Sequence, residues 1–290
     1  MILKSLKGLF PLLAIVALIS PVLFTVAADK TNTTLTYLWP LPAEFTSGDA
    51  TLSVDPALSL VAGGRGGSSR IVSDAFERYK SIIFKHGGGG IGSGGGSSSS
   101  TRESGGHSHS SFSLLGRFGR RARPTSSSAY DVSVLKIIVD SDNEELQLGV
   151  DESYTLLVGK SDKLSIVGEA TIEANTVYGA LRGLETFSQL CQFDYETKSV
   201  QIYQAPWYIR DEPRFEYRGL LIDTSRHYLP VDVIKHIIES MSYAKFNVLH
   251  WHIIDEESFP FEVPSYPNLW KGSYTKWERY TVEDAYDIVK

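Results

Sequence analysis

The sequence predicts an α+β domain followed by strand–helix repeats of a parallel sheet. Three observations carry this. Short β-prone runs separated by turn residues occupy 132–167, amphipathic helical spacings flank them, and from Phe215 the order becomes strand, helix, strand, helix. The composition agrees, since 42% hydrophobic and 21% charged residues exclude a chain disordered throughout. A length of 290 residues leaves room for one large or two medium domains. With 28 basic against 34 acidic residues the net charge is −6, which argues against a nucleic-acid partner. The single cysteine, Cys191, excludes an intrachain disulfide and any multi-cysteine metal site.

Residues 1–28 have the layout of a secretory signal peptide: Lys4 and Lys7, an uncharged apolar run, then Ala27 and Ala28. The run is also long enough to span a bilayer, although Pro11 and Pro21 interrupt it. A membrane partner is therefore expected only if this segment stays uncleaved. The implied location is the secretory pathway, ending in a vacuole-like or lysosome-like compartment or outside the cell. Asn32-Thr33-Thr34 is an N-glycosylation sequon just beyond the expected cut.

An α+β domain is expected over 29–205. Val72, Phe76, Tyr79 and Ile83 recur at helical spacing. Residues 87–111 hold 10 Gly and 9 Ser among 25 positions, too little apolar surface to offset ordering entropy. With the Arg cluster at 117–123 they read as a flexible insertion over 87–128. Strands are then expected at Val132–Val139, Leu146–Val150, Tyr154–Val158 and Leu164–Val167. A helix follows from about Thr176, with Asn175 as its cap and Val177, Leu181, Leu184 and Cys191 along its apolar stripe, Ala180 and Phe187 beside it.

A second domain is expected over 215–290. Arg218–Asp223 reads as a buried parallel strand, and Pro230 as the first residue of a helix whose apolar face is Ile234, Ile237, Ile238, Met241 and Ala244. Asn247–Asp255 reads as a second such strand. Thr281–Lys290 opens another helix, with Glu283 and Asp284 at its positive end. A full eight-stranded α/β barrel takes ~250 residues, whereas 76 follow Arg214. The chain is therefore expected to be a fragment carrying two βα units.

Parallel α/β sheets bind ligands beyond the C-terminal ends of their strands. Asp223 to His227 and Asp255 to Glu257 sit there on the two expected strands. Arg226 offers fixed donors and Asp255 offers acceptors only, a pairing suited to vicinal sugar hydroxyls. Asp223, Glu256 and His252 are candidate supports. The alternative is an ion pair of Arg226 with Asp223, Asp255 or Glu256, and spacing does not choose between the two. Trp251, Phe259, Tyr266 and Trp270 are candidate walls of a sugar site, with core packing the stronger reading for Trp251. His250 and His252 share a strand face, which admits a metal-dependent hydrolase. The missing third protein ligand makes that the weakest reading.

RGLLIDTSRHYLP (218–230) and KFNVLHWHIIDEESFPFE (245–262) resemble the family 20 glycoside hydrolases, in particular the plant-type β-N-acetylhexosaminidases. YPNLWKGSY (266–274) and YTVEDAYDIVK (280–290) continue the match, and LWPLP (38–42) with EANTVYGALRGLETFSQLC (173–191) resembles that family's N-terminal domain. The resemblance implies a (β/α)8 TIM barrel preceded by a smaller α+β domain. It implies removal of terminal non-reducing N-acetylglucosamine or N-acetylgalactosamine by substrate-assisted, retaining hydrolysis. No cofactor or metal is implied, the partners are N-acetylhexosamine-terminated glycans, and the complete enzyme is open to homo-oligomerisation. Arg226 matches the arginine that holds the terminal sugar, and Asp255 its acidic partner. The family's catalytic Asp-Glu pair is expected beyond Lys290, and Glu256 and Glu257 do not replace it. The chain itself is then expected to be an inactive fragment, with a non-catalytic sugar-binding or interaction remnant as the alternative.

Overall fold

The computed structural model describes residues 37–86, 130–159 and 168–290. The expected signal segment 1–28, the sequon at Asn32, the insertion 87–128 and the run Leu164–Val167 lie outside them.

Eight strands form one mixed sheet: β1 (Glu44–Thr46), β2 (Ala50–Gly63), β3 (Val132–Val139), β4 (Tyr154–Val158), β5 (Gly168–Ala174), β6 (Cys191–Asp194), β7 (Ser199–Ala205) and β8 (Trp207–Asp211). Their order is β1-β8-β4-β5-β3-β2-β7-β6. The pairs β2–β3 and β3–β5 are parallel. Helices α1 (Arg70–Ile83) and α2 (Val177–Leu190) pack on one face of the sheet. The period-two pattern of β3 explains that layering, because Leu135, Ile137 and Val139 point to the helices while Lys136 and Ile138 do not. From α1 come Val72, Phe76, Tyr79 and Ile83, all buried as their spacing predicts.

Four expectations need correction here. Leu146–Val150 is not a strand; Leu146 and Leu148 are exposed, and Gly149 takes φ +83°. The strands on either side of it in the chain, β3 and β4, are each flanked on both sides, and the sheet's edges are β1 and β6. Thr176, not Asn175, caps α2, its Oγ1 accepting the Gly179 amide at 3.2 Å, while Asn175 donates instead to Asp151. Cys191 lies past α2, in β6, where burial pushes its thiol pKa up. Finally, the first sheet runs on through β8 to Asp211, beyond the expected limit at 205.

A second, smaller layer follows. The strands β9 (Gly219–Asp223) and β10 (Val248–His252) pair in parallel, Gly219 opposite Val248 and Asp223 opposite His252. The helix α3 (Val231–Tyr243) connects them, and α4 (Val282–Val289) closes the chain's described part. Pro230 precedes α3 as its cap, its carbonyl accepting the amides of Val233 and Ile234. Ala244 likewise falls outside α3, as its C-cap. Thr281 and Asp284 form a capping box on α4. Ile222, Ile234 and Tyr280 make this layer's core. The ring of Tyr280 meets Trp251 edge-on at 5.1 Å, so Trp251 packs in the core, and its Nε1 donates to Thr224 Oγ1 at 2.7 Å.

Polar groups join the two layers. Lys245, in the turn before β10, adopts φ +57° and is 6% exposed. Its Nζ donates to Tyr154 OH at 2.8 Å and to Asp211 Oδ2 at 2.9 Å. Conversely Glu152, which just precedes β4, takes the guanidinium groups of Arg182 and Arg218 at 2.6 and 2.5 Å.

Candidate functional site

The C-terminal ends of β9 and β10 bring Arg226 and Asp255 together, as the sequence predicts. Asp255 is not the last residue of a strand, however. Strand β10 ends at His252, and Asp255 stands on the loop beyond it. The loop is shaped by its own polar groups: the Asp255 amide donates to Ser258 O, and the Glu257 amide donates back to Asp255 Oδ1 at 2.8 Å.

On the β9 side Asp223 organises the turn. Its Oδ1 accepts the amides of Ser225 and Arg226, both at 3.1 Å, and its Oδ2 receives Arg226 Nη1 at 2.8 Å. The other arm, Arg226 Nη2, reaches Asp255 Oδ2 at 3.2 Å. The arginine side chain is 55% exposed while that of Asp255 is 14% exposed. The guanidinium is thus a bridge between two carboxylates, with its outer side in solvent. Two contacts occupy a fraction of its five N–H donors, leaving donors for a ligand.

Asp255 is the most constrained group of the cluster. It accepts the Ser225 hydroxyl at 2.5 Å on Oδ1, and His252 Nε2 lies 3.1 Å from Oδ2. The Ser225 hydrogen bond, then those of His252 and the Glu257 amide, and last the Arg226 charge hold its carboxyl well below the usual carboxylate range. The Arg226 amide, followed by its side chain, lowers Asp223 too. Both stay ionised across ordinary pH and act as acceptors only. The Asp223 contact in turn raises the Arg226 pKa.

Of the other named residues, Glu256 is exposed, and Glu257 donates its backbone amide to Asp255 while its charge acts on Arg226 from a distance. The guanidinium therefore chooses Asp223 and Asp255. Tyr266 is exposed, whereas Trp270 is partly buried and carries the Arg279 guanidinium 5.0 Å above its ring. Ser225 and Ser258 were not foreseen. They lock the two loops together: Ser258 Oγ donates to Ser225 O at 2.5 Å, and Ser225 Oγ, whose proton goes to Asp255, lies 3.1 Å from Ser258 O. The signal available in sequence was a serine next to Arg226 and another three residues past Asp255.

Among the described residues, Asp223, His252 and Asp255 offer ligand atoms within 4.8 Å of one another. His250, the other half of the His-x-His pair, is not in that group. The Arg226 guanidinium already lies against both carboxylates, so a cation there would face a fixed positive charge. The donor set fits a hydroxyl-rich neutral ligand better than a metal ion.

This arrangement is matched by two family models: one described as "beta-acetyl hexosaminidase like" over residues 38–190, the other as "Glycosyl hydrolase family 20, catalytic domain" over residues 215–290. The chain belongs to glycosyl hydrolase family 20. It is 65% identical over 254 residues to beta-hexosaminidase 1 of Arabidopsis thaliana, and 44% identical over 254 residues to beta-hexosaminidase 3 of the same plant. These matches cover 88% and 87% of this chain and 42% of each relative, so the chain spans less than half of their length. Among solved structures, a chitobiase of Flavobacterium johnsoniae superposes with a TM-score of 0.61 at 25% identity, covering 90% of this chain and 33% of that one. The plant-type character expected from the sequence blocks is thus supported, and in this family 20 chain both loops of the Arg226–Asp255 cluster fall inside the catalytic-domain match.

Proposed function

We propose that this chain carries the sugar-holding part of a β-N-acetylhexosaminidase, on the first two βα units of a (β/α)8 barrel. In this reading the enzyme removes terminal non-reducing N-acetylglucosamine or N-acetylgalactosamine by the substrate-assisted, retaining route, in which the acetamido oxygen attacks the anomeric carbon. The observation that supports it best is the bridge of Arg226 to both Asp223 and Asp255 at the rim where parallel strands end.

Arg226 donates to hydroxyl oxygens of the terminal sugar, and Asp255 accepts a hydroxyl proton. Asp255 suits this because its four partners keep it ionised and fix its direction before the sugar arrives. Asp223 holds the arginine, and His252 orients Asp255 from behind. None of these groups carries the proton to the leaving oxygen, and Glu256 and Glu257 are not assigned that role. The chain enters the secretory pathway through residues 1–28, with Asn32 glycosylated; glycans ending in N-acetylhexosamine are its partners.

The test is titration of the chain with N-acetylglucosamine while its amide resonances are followed by NMR. Shifts clustered at Ser225–His227 and Asp255–Ser258 are expected. Saturable shifts located elsewhere, or none at millimolar sugar, would reject the reading. Release of a chromogenic group from an N-acetylglucosaminide, unaffected by a chelator, is the matching activity test for a longer chain that contains this one.

A further inference from the structure

Arg226 and Asp255 come together at one register of β9 against β10 only. The pair β9–β10 has five residues in each strand and is parallel. Arg226 and Asp255 each stand three residues past the end of their strand. A slip of one residue would move one loop ~3.3 Å along the other and turn its side chains to the opposite face. The 3.2 Å contact between the two residues does not survive that.

The register is pinned at the opposite end of the strands. Arg218 and Asn247, the residues just before β9 and β10, are closed into a ring: the Arg218 amide donates to Asn247 Oδ1 at 2.9 Å, and the Asn247 amide donates to Arg218 O at 3.0 Å. Both side chains converge on Glu152. Arg218 Nη2 reaches Oε2 at 2.5 Å, and Asn247 Nδ2, which donates to Glu216 O at 2.7 Å, also reaches Oε1 at 3.4 Å. The remaining donors of Arg218 go to backbone carbonyls, Nε to Lys245 O at 2.8 Å and Nη1 to Phe215 O at 2.7 Å. Glu152 itself belongs to the other layer and is 4% exposed, with Arg182 of α2 as its second cation. A buried carboxylate between two guanidinium groups has one well-defined position, because displacing it leaves an unpaired charge out of water.

We propose that Glu152 is a positioning residue for the sugar site, fixing from the α+β layer the register at which β9 and β10 present Arg226 and Asp255. The importance of this for catalysis rests on the function proposed above, but the alignment itself does not. It acts through Arg218 and Asn247 and touches no ligand.

The test needs no sugar. In the whole chain, carbon-13 labelled, the Asp255 carboxyl is titrated by NMR; its low pKa reports the assembled contacts to Ser225, His252, the Glu257 amide and Arg226, with Asp223 beside that guanidinium. The charge-balanced variant E152Q/R182Q is expected to fold, to raise the Asp255 pKa by about one unit or more toward ~4, and to speed amide exchange in β10 about tenfold or more. R182Q alone leaves Asp255 unchanged, since Arg218 keeps its carboxylate. If E152Q/R182Q does not fold, N247A gives the same readout. A folded E152Q/R182Q or N247A chain with Asp255 titrating as in the wild type overturns the proposal, and so does failure of both variants to fold, which makes the hub purely structural. Absence of sugar binding by the wild type would reject the sugar reading alone and leave the titration result standing.

Discussion

Arg226 meets two ionised carboxylates on one side and solvent on the other, and its energetic roles divide accordingly. Exposed ion pairs contribute little to stability, whereas a charge-assisted hydrogen bond to a partly desolvated hydroxyl is strong. Arg226→Ala is therefore expected to weaken N-acetylglucosamine binding by about tenfold to a hundredfold while leaving the thermal midpoint nearly unchanged. Titration calorimetry and thermal melts on the same sample check both halves. Asp223 and Asp255 add a pH dependence. Their folded pKa values lie below their unfolded ones, so the unfolded chain binds more protons in acid. The stability they confer is present above the ordinary carboxylate range and is lost as pH falls from ~4 toward their folded values. Urea melts between neutral and acidic pH are expected to show this slope, shallower in Asp255→Asn. Sequence placed Arg226 and Asp255 at one rim because a strand end in a parallel sheet is a readable address, and the two do meet there. It missed Ser225 and Ser258, because a hydroxyl gives no sign of which loop it will face.

Helix α2 shows what one element adds. Its first turn lies so near the polypeptide preceding β4 that a Cβ added at Gly179 would come 2.2 Å from the Ser153 carbonyl oxygen. At Gly183 the same addition would meet the Ile172 Cγ2 atom at 2.7 Å and Tyr154 Cδ2 at 3.2 Å, side chains of the packed core rather than fixed backbone. Alanine favours helix over glycine by about 1 kcal/mol, so the two positions pit propensity against room. Gly179→Ala and Gly183→Ala are each expected to lose stability by about 1–3 kcal/mol, as overpacking does, with Gly179→Ala, which meets backbone, losing more; chemical denaturation of the two variants checks the order. This contrast was not legible from periodicity, which placed the helix correctly but says nothing of what its small residues face. The same limit explains Leu146–Val150. Its apolar alternation reads as a strand, yet a strand needs an unoccupied sheet edge, and only the strand order shows that none is beside it. By contrast α4 was readable down to its first turn, because Thr281 and Asp284 satisfy each other locally.

At the scale of the molecule, the α+β layer and the β9–α4 layer exchange buried charges: Glu152 receives two arginines, and Lys245 crosses in the other direction. Neither was visible in the sequence, since a lone glutamate or lysine gains its meaning only when distant residues surround it. Burial lowers the Lys245 pKa, partly offset by Asp211. Between its folded value and ~10.4 the unfolded chain holds the proton more tightly, so stability should rise with pH through that window. Lys245→Met removes the ammonium and leaves Asp211 facing Tyr154 without its cation. Breaking a buried pair from one side typically costs ~3–5 kcal/mol, while removing both charges is far milder. The single variant is therefore expected to be strongly destabilised and to lose the alkaline slope, and Lys245→Met with Asp211→Asn to recover most of the stability but not the slope. Both are read from urea midpoints across pH. Additive losses in the double variant would mean that Lys245 and Asp211 do not act as a pair.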